Sequence, residues 1–159
     1  MRIITFYNEK INNELVNYQK KVFDKLNIKI EQIYVTNWVS HGQSIDDYLK
    51  LIDDENEVIV LFDIDCIPLN STYISECVKW AQENIGILGN SQTGQGLKPP
   101  HNEFVYVGPS YMVFSIKTYN MLGRPSFNEN KRSDCGGELT RLCIDKNFKV
   151  NFLMPTDVK

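Results

Sequence analysis

Residues 57–70 read EVIVLFDIDCIPLN, and this stretch decides how the rest of the chain is organised. Glu57 to Phe62 is a nearly continuous apolar run, the pattern of a central strand buried on both faces of a largely parallel sheet. Asp63 and Asp65 follow directly. In an open α/β sheet ligands bind beyond the carboxyl ends of the strands, so both carboxylates emerge where a site is expected. Side by side there, they repel each other and lose hydration unless a cation sits between them. A hard divalent ion, Mg²⁺ or Mn²⁺, supplies that charge and favours oxygen ligands. The plainer alternative is a turn capped by a strand-ending Asp, with Asp65 preceding Ile67-Pro68.

Working toward the N-terminus, Arg2 to Tyr7 (RIITFY) reads as a first strand ending at Asn8. Ile11, Leu15, Tyr18, Val22 and Leu26 recur at helical spacing and predict an amphipathic helix lying on one face of the sheet. Ile28 to Val35 alternates like a second strand. Turn formers surround Gly42, and Ser44 with Asp47 predicts a helix N-cap ahead of Tyr48, Leu49 and Ile52.

Toward the C-terminus, Asn70-Ser71-Thr72 caps a helix through Ile74, Cys77, Val78 and Ala81. Ile85 to Leu88 reads as a short strand, and Asn90 to Asn102, rich in Gly and Pro, as a long surface loop. Phe104 to Val107 and Tyr111 to Ser115 read as strands around a Gly108-Pro109 turn, with a short helix over Ile116 to Leu122. Gly123 to Arg132 is polar and irregular. A last helix runs from about Asp134 to Lys146, and Phe148 to Leu153 is a final strand. Strands and helices alternate throughout, which predicts an α/β fold: a three-layer sandwich around a mostly parallel central sheet.

The chain has 159 residues, 42% of them hydrophobic and 23% charged, the composition of one ordinary globular domain spanning 1–159. A chain of this size buries roughly 70% of its unfolded surface, so any metal it holds serves function rather than folding. The net charge of −3 and the lack of a basic block argue against a nucleic-acid partner. No segment has the length and apolarity of a signal peptide or a membrane span, which makes a cytoplasmic location the expectation. Cys66, Cys77, Cys135 and Cys143 form no C-x-x-C pair, so they read as reduced structural thiols.

The run VIVLFDIDCIPLN, about sixty residues into a chain that begins RIITFYN, resembles the D-x-D segment of GT-A-type glycosyltransferases, the nucleotide-diphosphosugar transferase fold. The resemblance implies a metal-dependent glycosyltransferase in which Asp63 and Asp65 hold Mn²⁺ or Mg²⁺ against the pyrophosphate of a nucleotide-diphosphate sugar, the donor for an unknown acceptor. Asp65 would be the firmer ligand, and Asp63 would contact the ribose or the metal. By the same resemblance Thr5, Tyr7 and Asn8, at the end of the first strand, contact the nucleobase and ribose, and His41 adds a nucleotide contact. A plain strand end and a solvated loop histidine are the alternatives.

Val107 to Ser115 resembles the segment behind the sugar pocket, where Gly108 allows close backbone approach; a hairpin turn is the alternative. Ser133 to Leu142 (SDCGGELTRL) resembles the acidic motif that opens a late helix, which makes Asp134 the first choice and Glu138 the second for a general base acting on the acceptor hydroxyl. Asp134 also suits a helix N-terminus. Cys135, Gly136 and Gly137 separate the two acids, unlike the usual adjacent pair, so inverting and retaining chemistry both stay open. His101 is a further residue that could meet the acceptor, and Lys98 and Arg132 could neutralise phosphate.

Two other readings compete. A haloacid-dehalogenase-like phosphatase also carries D-x-D after a buried strand, though usually the first strand, with a later G-D-x-x-x-D pattern that this sequence lacks. A non-catalytic nucleotide-sugar-binding module would keep the fold without turnover. Beside GT-A enzymes the chain reads as short or truncated after the late helix and strand. The expectation is then an acceptor side that is either missing or supplied by a partner, a second domain or another copy in a homo-oligomer.

Overall fold

The structure, a computed structural model, describes residues 1–94 and 98–153. Strands β1 (Arg2–Tyr7), β2 (Glu31–Tyr34), β3 (Val58–Phe62), β4 (Gly86–Thr93), β5 (Val105–Ser115) and β6 (Lys149–Leu153) form one sheet in the order β2-β1-β3-β5-β4-β6. β1 runs parallel to β2 and β3, β4 runs parallel to β6, and only β5 is antiparallel to its neighbours β3 and β4. The sheet is therefore mostly parallel, as expected. Helices α1 (Asn13–Lys25) and α3 (Ser71–Glu83) cover one face, while α2 (His41–Leu49), α4 (Ile116–Met121) and α5 (Gly137–Asp145) lie on the other.

β3 shows why a continuous apolar run was needed. Val58, Val60 and Phe62 pack with Phe23, Ile74 and Cys77 under α1 and α3, while Ile59 and Leu61 pack with Ile45, Leu49 and Leu139 under α2 and α5. All five strand residues are buried, because successive side chains point to opposite faces. The sheet thus has two cores, and a charge anywhere on β3 would face one of them.

Four expectations are corrected. The buried stripe of α1 is Val16, Gln19 and Phe23, while Tyr18 is 64% exposed and Leu15 36%. The helix is rotated relative to its apolar periodicity because Phe23 meets Phe62 edge-on at 5.1 Å and Gln19 has hydrogen-bonding work inside. Helix α2 begins four residues earlier than the Ser44 signal suggested. Its N-cap is Ser40, whose hydroxyl accepts from the Gln43 amide at 3.0 Å, and Ser44 lies within the helix.

There is also no hairpin at Gly108-Pro109, since β5 runs on through both residues. The irregularity is taken up by register instead. Gly89 lies opposite Met112 but Ser91 lies opposite Val107, which gives Pro109 a place in a strand interior despite its missing N–H. Gly108 leaves room for the end of the Gln92 side chain, which a Cβ there would displace. Finally, β4 continues to Thr93 and claims the first residues of the expected loop; Gln95 to Leu97 of that loop, and the last residues from Pro155 to Lys159, lie outside the described residues. Among the described residues, no helix is long and apolar enough to cross a membrane.

Candidate functional site

The Asp63–Cys66 turn leaves β3 at its carboxyl end and is held through its backbone. The Asp63 amide donates to the carbonyl of Ser110 on β5 at 3.3 Å, and the Cys66 amide donates back to the Asp63 carbonyl at 3.0 Å. From beneath, the Gln19 amide nitrogen donates to the carbonyls of Asp63 at 2.8 Å and Cys66 at 2.9 Å.

The two carboxylates have fewer partners than the backbone that carries them. Asp63, with 30% of its side chain exposed, lies 3.4 Å from Nδ1 of His41. Burial pushes its carboxyl above the usual range, with Asp65 adding to the effect and His41 opposing it. Asp65 is exposed and accepts a weak contact from the Cys66 thiol at 3.7 Å. Burial and the two carboxylates push that thiol up to about 12, so it stays protonated and serves as a donor. A half-buried carboxyl penalised for its charge beside a second acid is one that a cation would relieve. Among the described residues no three His, Cys, Asp or Glu side chains converge as a cage. Two carboxylates still suit Mg²⁺ or Mn²⁺, which take one or two protein carboxylates and complete their shell with water and phosphate oxygens. The donor set fits such an ion.

His41 is the first residue of α2, held by the Ser40 cap, rather than a loop residue. Its ring stacks on Trp38 at 6.1 Å between centroids and meets Phe6 edge-on at 6.2 Å. Burial pushes the imidazole below its usual value against the pull of Asp63. At the end of β1, Tyr7 is half-buried and meets Tyr34 edge-on at 5.4 Å. Asn8 is buried, and its side-chain oxygen accepts from the Lys10 amide at 2.9 Å. Thr5 has no exposed surface, and its hydroxyl has no hydrogen-bond partner.

Asp134 lies three residues before α5, not within it, because Gly136 takes φ 79° as the cap, a left-handed conformation that favours glycine. The carboxylate of Asp134 accepts from the Tyr106 hydroxyl at 2.9 Å and from the Cys135 amide at 2.8 Å. Glu138 is committed elsewhere: it pairs with Arg132 and accepts from the Ser133 hydroxyl at 3.2 Å. That pairing also spends the charge of Arg132. Arg141 braces the same segment, donating to the Arg132 carbonyl and the Ser133 hydroxyl while lying 3.7 Å over the Phe104 ring.

Burial pushes the Cys135 thiol up, and Asp134 and then Asp63 push it further. His101 opens a one-turn 3-10 helix, His101–Glu103, and Lys98 is exposed. Gln19, Trp38 and Tyr106, which the sequence reading does not single out, each touch one of these candidate residues: Gln19 the Asp63 carbonyl, Trp38 the His41 ring and Tyr106 the Asp134 carboxylate. The signal for Gln19 was available in the spacing Val16, Gln19, Phe23, since a polar residue inside a buried stripe needs a polar partner.

No family model matches this chain, and no curated protein does. Solved structures do. A mannosyltransferase from Pyrobaculum calidifontis, in complex with GDP-Man and Mn²⁺, superposes with a TM-score of 0.64 at 11% identity over 99% of this chain and 55% of its own. The fold is GT-A-like. The bifunctional IspDF of Campylobacter jejuni matches at 0.56 and 10% identity over 99% of this chain and 50% of its own. A Drosophila β1,4-galactosyltransferase 7 variant with manganese, UDP-Gal and xylobiose matches at 0.53 and 12% identity, over all of this chain and 67% of its own. The chain spans about half the length of the first two. GT-A-like nucleotide-sugar transferases and nucleotidyltransferases thus share its architecture.

Proposed function

We propose that this GT-A-like domain binds a nucleotide-diphosphate sugar with a divalent cation and transfers the sugar to an acceptor hydroxyl. The observation that carries the reading is the Asp63-Ile64-Asp65 turn at the carboxyl end of β3, whose backbone is tied down while its carboxylates stay open. Asp63 and Asp65 would hold Mn²⁺ or Mg²⁺, which supplies charge to offset that developing on the departing diphosphate. Tyr7 and the Trp38–His41 stack offer aromatic surface beside this turn for the nucleoside. Asp134 takes the proton of the attacking hydroxyl, its carboxylate held by Tyr106 and the Cys135 amide. With Glu138 paired to Arg132, Asp134 is the better placed of the two acids for a base.

The antiparallel β5 and a D-x-D on the third strand in chain order speak against the haloacid-dehalogenase arrangement, which opens with that pair. The test is a thermal-shift panel of UDP, GDP and CDP and their sugars, each with and without Mn²⁺, on the full chain and on Asp65→Ala. Stabilisation that needs nucleotide and Mn²⁺ together, and that falls about a hundredfold in apparent affinity with Asp65→Ala, is expected. Undiminished metal-dependent binding by Asp65→Ala removes the assignment, and binding without release of diphosphate leaves a non-catalytic module.

A further inference from the structure

Gln19 is 1% exposed, and its carboxamide is fully used. Both N–H bonds go to the turn, to the carbonyls of Asp63 and Cys66, and its oxygen accepts from the Gln32 side chain at 3.1 Å. Gln32 in turn donates to the Val16 carbonyl at 2.8 Å. This chain of amides has one consistent orientation, since reversing Gln19 would set its oxygen against two carbonyl oxygens. It joins α1, the edge strand β2 and the D-x-D turn through part-buried hydrogen bonds that meet at the buried Gln19.

We infer that Gln19, oriented by Gln32, is a positioning residue for cation binding: it fixes the Asp63–Cys66 turn from beneath so that the Asp63 and Asp65 carboxylates are presented together. The inference rests on the reading of that turn as a nucleotide-linked cation site. Holding the Asp63 and Cys66 carbonyls toward α1 turns the N–H groups of Ile64 and Ile67 away from it, because each trans peptide is planar with its C=O and N–H opposed. The turn's inner side is thus occupied by Gln19, and the N–H groups of Ile64 and Ile67 and the two carboxylates are left to the outer side. Without Gln19 these two part-buried carbonyls would draw the turn toward other partners, since acceptors left unpaired away from water are costly.

The experiment compares the full chain with Gln19→Met and Gln32→Met, first by thermal unfolding and then by two titrations. One measures Mn²⁺ affinity by electron paramagnetic resonance at saturating UDP, GDP or CDP, and the other measures nucleotide affinity in EDTA. Gln19→Met is expected to weaken Mn²⁺ binding about 10- to 100-fold, the usual effect of losing a residue that orients a metal ligand. Gln32→Met, which leaves the turn's own hydrogen bonds in place, is expected to weaken it about threefold. Nucleotide affinity in EDTA should stay within about twofold for both, which general loosening of the fold would not produce. Unchanged Mn²⁺ affinity, or an equal loss with and without metal, overturns the inference. If Gln19→Met does not fold, Gln32→Met decides by the same criterion. A lack of Mn²⁺-dependent nucleotide binding in the unsubstituted chain instead brings down the site reading itself, and that result is seen without any variant.

Discussion

The two acidic segments of the site are built in opposite ways. In the Asp63–Cys66 turn the carbonyls and amides of Asp63 and Cys66 are satisfied by Gln19, Ser110 and the turn itself, while among the described residues Asp65 is offered a thiol. Around the start of α5 the side chains are the bonded parts: Asp134, before the helix, is held by Tyr106 and the Cys135 amide, and Glu138, in its first turn, by Arg132 and Ser133. A cation needs carboxylate oxygens free to become ligands, so their supporting backbone must be rigid. A general base needs its carboxylate aimed, so its oxygens must be gripped. The contrast separates a group that waits for a partner from one that already has its direction.

Breaking the gripped side should have the largest effect. Asp134→Asn keeps the hydrogen bond from Cys135 but cannot take the acceptor proton, and transfer is expected to fall by about 10²- to 10⁴-fold with nucleotide affinity unchanged. Loss of nucleotide affinity together with rate would place Asp134 in the donor site instead. Tyr106→Phe removes only the grip, and a loss of about tenfold in kcat with KM unchanged is expected. Equal activity would mean that the Cys135 amide suffices to aim the carboxylate.

The smallest effect tests the open side through stability. Burial holds the Asp63 carboxyl above its ordinary 3.8, so the folded chain binds that proton more tightly than the unfolded chain. The stability this contributes is complete below pH 3.8 and is lost as pH rises through the raised folded value. At neutral pH the ionised side chain therefore weakens the fold. Asp63→Asn is expected to raise the Tm by a few degrees at neutral pH, with the gain fading toward acid in melts across the pH range. A Tm lowered at neutral pH would mean that the His41 contact outweighs burial.

Much of this was legible in the sequence, and what escaped has a common physical cause. The run Val58 to Phe62 announced a strand covered on both faces, and Ile74, Cys77, Val78 and Ala81 marked the buried face of α3 correctly. These are signals carried by neighbouring residues. The rotation of α1 was missed because Gln19 is buried for partners more than forty residues away. The polar stretch after Gly123 read as irregular, yet Asp46 on α2 fixes it by accepting from the Phe127 amide at 2.8 Å and the Ser126 hydroxyl at 2.6 Å. Likewise the neutralisation of Arg132 by Glu138 and the bond from Tyr106 to Asp134 depend on how segments meet. Periodicity reports which face is apolar, and it is silent on where a buried polar group finds its partner.

The placement of β5 has a kinetic consequence. β3 is flanked by β1, made before it, and by β5, whose Tyr111 lies opposite Phe62 and whose Ser110 carbonyl receives the Asp63 amide. During synthesis the chain carrying both D-x-D aspartates is complete long before that second neighbour exists. Pairing so distant in sequence must meet its loop-closure entropy before any contact rewards it. The turn is thus translated well before the partner that holds it, so nascent chains ending before Ser110 should carry the aspartates without a formed site.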